Sequence, residues 1–276
     1  MLKKLIKYDY KAVLKYWWIA ALSSLAFAFV GGGCITILNS EKELTGNALV
    51  LATLGMVLVI ISFVAFILLS EIFIFLRFYK NLFTDEGYLT FTLPVKRSSI
   101  LSSKLIVSTT TMMATFITLI VDVGIMLVIG FRNDIFTPEF AKEISDALAM
   151  ISKHVGIPYA LLYAFEGIIA FTLSMMASVL FLLVCISIAS VITKKAKIIT
   201  AIAIYYGTNG VITFVLQLFF LFGIPAASEW VSEINKTTLL PFMGVSAFVI
   251  ILLISIFCTI LYGIQYWLLD RKLNLN

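Results

Sequence analysis

Six long apolar runs, separated by polar stretches, set the pattern of this 276-residue chain. They cover about residues 18–38, 48–78, 105–129, 158–192, 198–222 and 242–269. A helix of about 20 apolar residues crosses the hydrocarbon core of a bilayer, and each run reaches that length. Strands of a membrane barrel would alternate apolar and polar positions over about ten residues, and these runs do not alternate. The pattern predicts an all-α, polytopic membrane protein: one transmembrane domain over 1–276 with six transmembrane helices.

Residues 2–17 follow a different rule. Lys3, Lys7, Lys11 and Lys15 recur every four residues on one face, while Leu2, Leu5, Ile6, Val13, Leu14 and Trp17 fall on another. A basic face opposite an apolar one predicts an N-terminal amphipathic helix lying in the membrane interface. The apolar run after it starts late and carries no small-residue cleavage site, so no removable signal peptide is expected. Between the first two spans lies a short polar loop with Glu41, Lys42 and Glu43. The polar stretch 131–157 contains Thr137-Pro138-Glu139, a helix start with proline in the first turn, and predicts a short helix outside the membrane. A tight turn carries Lys194, Lys195 and Lys197, and Gly223 to Pro241, with Pro225 and Trp230, reads as a short polar excursion out of the bilayer core.

Composition agrees with this class: 62% of residues are hydrophobic and 13% charged, against about half and a quarter in soluble domains. The net charge of +5 then reports loop placement. With six spans, fifteen Lys and Arg residues fall on the side of the two termini and five on the other. The positive-inside rule therefore places both termini and the segment 79–104 in the cytoplasm of a multi-pass cell-membrane protein. No basic run interleaved with aromatics fills a polar region large enough for nucleic acid, so no such partner is expected. Cys34, Cys185 and Cys258 all lie inside apolar runs, where an odd count argues for packing rather than disulfides. His154 is the single histidine, which excludes a multi-histidine metal site. With no nucleophile–base pairing either, no catalytic residue, metal or cofactor is expected on this chain.

Within the spans, two features stand out. Gly31, Gly32 and Gly33 weaken a helix but let another helix approach closely. No lysine follows them at the spacing of a phosphate loop. The acids are Glu71, Asp122 and Glu166. An Asp costs about 2.5–3.5 kcal/mol at a helix centre on insertion scales, so such residues face protein or a water-filled cavity. Asp122 and Glu166 have two readings: they line a transport path and attract a cation, or they bond neighbouring helices. For Glu71, with Arg77 and Lys80 close in sequence, the bonding reading is preferred.

The longest polar interruption on the terminal side is 79–104, YKNLFTDEGYLTFTLPVKRSSILSSK. Two acids (Asp85, Glu86), Gly87, Pro94 and the basic residues Lys96, Arg97 and Lys104 give it the character of a cytoplasmic docking segment. Phe83-Thr84-Asp85-Glu86-Gly87-Tyr88-Leu89, then Thr92-Leu93-Pro94-Val95-Lys96-Arg97, resembles the segment between the second and third spans of type-2 ABC exporter permeases, in a form similar to those of Gram-positive bacteria. The likeness covers about twenty-five residues, with the six-span topology beside it. It implies a permease subunit that pairs with a second permease, identical or similar, and sits on separate ABC ATPase subunits. The family's coupling helix maps onto about 84–92, with Asp85, Glu86, Gly87, Tyr88 and Leu89 facing the ATPase. ATP would be bound by that partner, since this chain has no G-x-x-x-x-G-K-[ST] motif. The expected cargo is an amphipathic or cationic molecule such as a peptide or drug. The longer loop between the third and fourth spans departs from the plainest members of the family. Two other classes stay open: a membrane sensor or immunity protein that binds a toxic peptide, and a secondary transporter. The second would be marked by an inverted repeat, and no convincing repeat relates the two halves.

Overall fold

The computed structural model of the chain describes residues 2–40, 46–83, 87, 96–193, 196–232 and 236–271, with the backbone alone at 151, 154, 219, 220, 222–232, 236–243 and 271. Eight helices follow one another among these residues: α1 (Leu2–Leu38), α2 (Gly46–Phe83), α3 (Arg97–Gly130), α4 (Arg132–Ile135), α5 (Pro138–His154), α6 (Ile157–Ile192), α7 (Lys197–Ser232) and α8 (Lys236–Arg271). Six of them, α1, α2, α3, α6, α7 and α8, are long and apolar enough to cross a membrane. Each of the six expected runs falls inside one of these helices, and the chain is an all-α polytopic membrane protein. At 34 to 38 residues, the six helices run about 50–57 Å, well beyond a ~30 Å hydrocarbon core.

The extra length explains where the helices outrun the apolar pattern. No break separates residues 2–17 from the first span, because α1 is continuous from Leu2 to Leu38. Its buried positions Asp9, Val13, Trp17, Ala20, Ala21, Ser24, Ala28 and Gly31 form one stripe along that whole length. Gly223 to Pro241, read from sequence as a polar excursion, is helical where described: α7 runs on to Ser232 and α8 begins at Lys236. One proline removes one backbone donor, and the Ala226-Ala227-Ser228-Glu229 run that follows contains strong helix formers that carry the helix past it. The stretch 131–157 holds two helices rather than one short one. Thr137 caps the longer of them: its hydroxyl accepts from the Phe140 amide at 3.3 Å, with Pro138 in the first turn. Gly156, at φ 80°, makes the corner into α6, a conformation that L side chains rarely adopt.

The chain divides into two compact units, 1–77 with 106–150 and 78–105 with 151–276. In the first, α1 packs against both α2 and α3. Trp17, Ala20, Ala21 and Phe66 form its buried cluster, with Leu14, Phe73, Ala114 and Leu119 against it. The glycines of α1 set the spacing. A Cβ on Gly32 would sit 2.6 Å from Ile129 Cβ, and one on Gly31 2.8 Å from Met126 Sδ, whereas Gly33 faces open space. Across the same seam, a Cβ on Gly130 would meet Ile35 Cγ2 at 2.5 Å. In the second unit α6 packs against α7 and α8, burying Val179, Leu180, Leu183 and Ile186. The outer faces remain apolar and bare, as at Ile199 (73% exposed) and Val211 (64%) on α7. A soluble protein does not leave so large an apolar surface uncovered; a bilayer covers it.

Candidate functional site

Polar side chains inside the first unit are joined into short networks between its helices. Trp17 Nε1 donates to Thr115 Oγ1 at 2.9 Å. The Thr115 hydroxyl lies 3.1 Å from Ser70 Oγ, which donates to the Phe66 carbonyl at 2.9 Å. One chain of hydrogen bonds therefore runs from α1 through α3 to α2. Two turns further along α1, Ser24 Oγ lies 2.8 Å from Asp122 Oδ2 and 2.9 Å from the Ala21 carbonyl. Asp122 is fully buried, and its Oδ1 has no hydrogen-bond partner. Thr36 donates to the Ile129 carbonyl at 3.1 Å, and Asn39 Nδ2 to Asp134 Oδ2 at 3.2 Å. Asp122 is thus a member of the α1–α3 seam, beside the close-packed glycines. Glu71, on α2, is half-buried next to Ser70.

Glu166 has different surroundings. On α6 it follows Tyr159 and Tyr163 at i, i+4 and i+7, the spacing of one helix face. Opposite stand Gly244, Val245 and Phe248 of α8, and the two faces border an open cavity of about 280 Å³. The tyrosine rings lie 6.3 Å apart and tilted by 30°. A side chain on Gly244 would come within 3.4 Å of the Tyr163 ring, so the missing Cβ is part of what keeps the cavity open. Glu166 Oε2 is shielded and has no hydrogen-bond partner. Glu166 and Asp122 belong to different units, and the two acids grouped in the sequence reading occupy unlike sites.

Of the residues expected to contact an ATPase, Asp85, Glu86, Tyr88 and Leu89 lie outside the described residues. Gly87 is described, helical and buried. A Cβ there would meet the Leu82 carbonyl oxygen at 2.7 Å and its carbon at 2.8 Å, backbone atoms that cannot swing aside. Glycine is therefore required at so close an approach to the backbone of Leu82. Both flanks of the segment are anchored. Before it, Arg77 Nη2 lies 3.6 Å from Asp9 Oδ1, within the first unit. After it, in the second unit, Arg97 Nη1 donates to Asp270 Oδ1 at 2.6 Å and to the Asp270 carbonyl at 3.0 Å. Arg97 thereby caps the C-terminal end of α8, where free carbonyls favour a cation.

Sequence reasoning missed Asp9 and the tyrosine pair. Asp9 is the one acid among the five lysines of residues 2–17, four residues before Val13 and eight before Trp17 on the buried stripe. That spacing was a usable signal. Tyr159 and Tyr163 share the face of Glu166, but nothing in the sequence places Gly244 opposite them. Among the described residues, no group of three or more His, Cys, Asp or Glu side chains is arranged to hold a metal ion. No family model, curated protein or solved structure matches the chain.

Proposed function

We propose that this protein is the transmembrane subunit of an ATP-driven exporter of the type-2 ABC permease class, working with a second permease chain and with separate ATPase subunits. The observation that carries the reading is the segment between α2 and α3. It interrupts two helices of 38 and 34 residues, which together provide more length than two crossings need. Its sequence resembles the coupling segment of that class, and its flanks are tied to α1 through Arg77–Asp9 and to α8 through Arg97–Asp270. A push on such a segment has two mechanical outlets, one to the first long helix and one to the last. Rigid-body motion passed through packed helices is a common means of transmitting a nucleotide-driven change.

Two further features favour the reading. The fifteen-to-five distribution of Lys and Arg supports a cytoplasmic side for this segment, where ATP is. Gln217 is exposed on α7 among apolar neighbours, and an amide facing hydrocarbon is disfavoured unless another chain meets it. A second permease subunit would meet that requirement. The cargo is an amphipathic or cationic molecule, drawn to Glu166 at its open cavity. The test is purification in mild detergent from native membranes, together with cysteine labelling from each side. Co-purification of an ATP-hydrolysing subunit, with residues of 84–95 labelled from the cytoplasm, supports the proposal. Labelling of that segment from outside would overturn it.

A further inference from the structure

We infer that the groove between α6 and α8 is a binding site for a small hydrophobic organic cation of single-ring size. The cavity, about 280 Å³, lies just below the size range of drug-sized small-molecule sites, ~300–1,000 Å³, which suits a single-ring ligand. Its lining is apolar and aromatic apart from one carboxylate, and among the described residues no basic side chain borders it. Glu166 is the tenth residue of α6, about 14 Å from its start by helical rise, and its Oε2 is shielded and unpartnered. A carboxylate so placed is poorly served by hydrocarbon and by its neighbours, and a cation is the occupant that satisfies it. Tyr163 and Tyr159 stand one and two turns before it, where their rings add cation–π attraction to a quaternary or primary ammonium. Phe248 and Val245, both more than half exposed, supply the apolar contact for the rest of the molecule. The volume holds one ring and one ammonium group but not the two chains of a lipid, which points to a free cation rather than a headgroup.

The inference deepens the export reading, on which it rests only in treating the cation as cargo; the binding itself needs no ATPase. The probe is benzyltrimethylammonium, with neopentylbenzene as its neutral isostere. Binding is measured by calorimetry on the full chain in phosphatidylglycerol nanodiscs, which contain no ammonium headgroup. Wild type should bind the cation at least tenfold more tightly than the isostere. Glu166→Gln should lose at least tenfold for the cation and leave the isostere unchanged. Gly244→Leu, which fills the groove, should abolish both while the unfolding temperature is retained. A variant with Tyr163→Leu should weaken the cation more than the isostere. Failure of the wild type to bind, or equal binding by Glu166→Gln, overturns the inference. So does loss of binding on moving to phosphatidylcholine nanodiscs, which would give the groove to a lipid headgroup. Binding that is present while no ATPase co-purifies refutes the export reading alone.

Discussion

The three consecutive glycines of α1 offer an internally controlled test of how this membrane protein packs. Gly32→Ala places a methyl carbon 2.6 Å from Ile129 Cβ and 3.1 Å from the Met126 carbonyl oxygen, whereas Gly33→Ala meets nothing within 4 Å. Ordinary contact between carbons is about 3.5–4.0 Å, so at Gly32 the helices must part locally by roughly 1 Å. Ile129 Cβ is attached directly to the backbone and cannot turn away. Overpacking of this kind costs about 1–3 kcal/mol. Replacing glycine by alanine within a helix returns up to ~1 kcal/mol. Gly33→Ala should therefore be neutral or gain up to ~1 kcal/mol, and Gly32→Ala should be about 1–3 kcal/mol less stable than Gly33→Ala. The separation would also strain the Thr36 hydrogen bond to the Ile129 carbonyl, 3.1 Å long and one turn away. The assay is reversible unfolding of the purified protein in mixed micelles, both variants measured beside wild type. A Gly33→Ala variant as unstable as Gly32→Ala would refute the reasoning, and so would a Gly32→Ala variant more stable than wild type.

Asp122→Asn keeps the shape of the side chain and its contact with Ser24, 2.8 Å away, so unfolding stability should hold or rise. Asp122→Leu, which leaves Ser24 without that partner, should lose about 0.6–2 kcal/mol, the scale of hydrogen bonds between membrane helices. Loss of transport in a stable Asp122→Asn variant would assign that residue to the transport path instead. Ser187→Ala removes the acceptor of Gln265 Nε2 at 2.8 Å in a fully buried pair; a loss of about 1–2 kcal/mol in the same unfolding assay is expected, and no change would contradict the pairing. Arg97→Ala breaks an ion pair whose partners are 44% and 48% exposed, so stability should change by less than about 1 kcal/mol. If the proposed export function holds, ATP-driven transport by protein reconstituted with its ATPase should nonetheless fall severalfold, and the charge swap Arg97→Asp with Asp270→Arg should recover part of it.

How much of this was legible in the sequence differs from element to element. The six spans were, because a bilayer needs about 20 apolar residues and the side chains of each run state that directly. Helix ends were not, since a helix outlasts the hydrophobic run wherever polar residues still favour helix; α3 begins at Arg97, eight residues before its apolar run. The Thr137-Pro138 start was legible because capping is local, and α5 begins there. The close approach at Gly31 and Gly32 was expected of the glycine run, but the exemption of Gly33 depends on which face meets α3. Asp122 and Glu166 looked alike in sequence because both are acids in apolar runs. Their environments differ through partners 98 and 78 residues distant, Ser24 for Asp122 and Gly244 for Glu166. Pairings over such separations leave no local trace.

The central claim is that the segment between α2 and α3 docks an ATPase, and the most direct measurement is a pull-down from native membranes comparing wild type with Asp85→Lys/Glu86→Lys. Wild type should bring down an ATP-hydrolysing subunit, and the double variant, inserted in the membrane at the same level, should lose it. An ATPase retained by the charge-reversed chain, or none captured by wild type in mild detergent, would contradict the account.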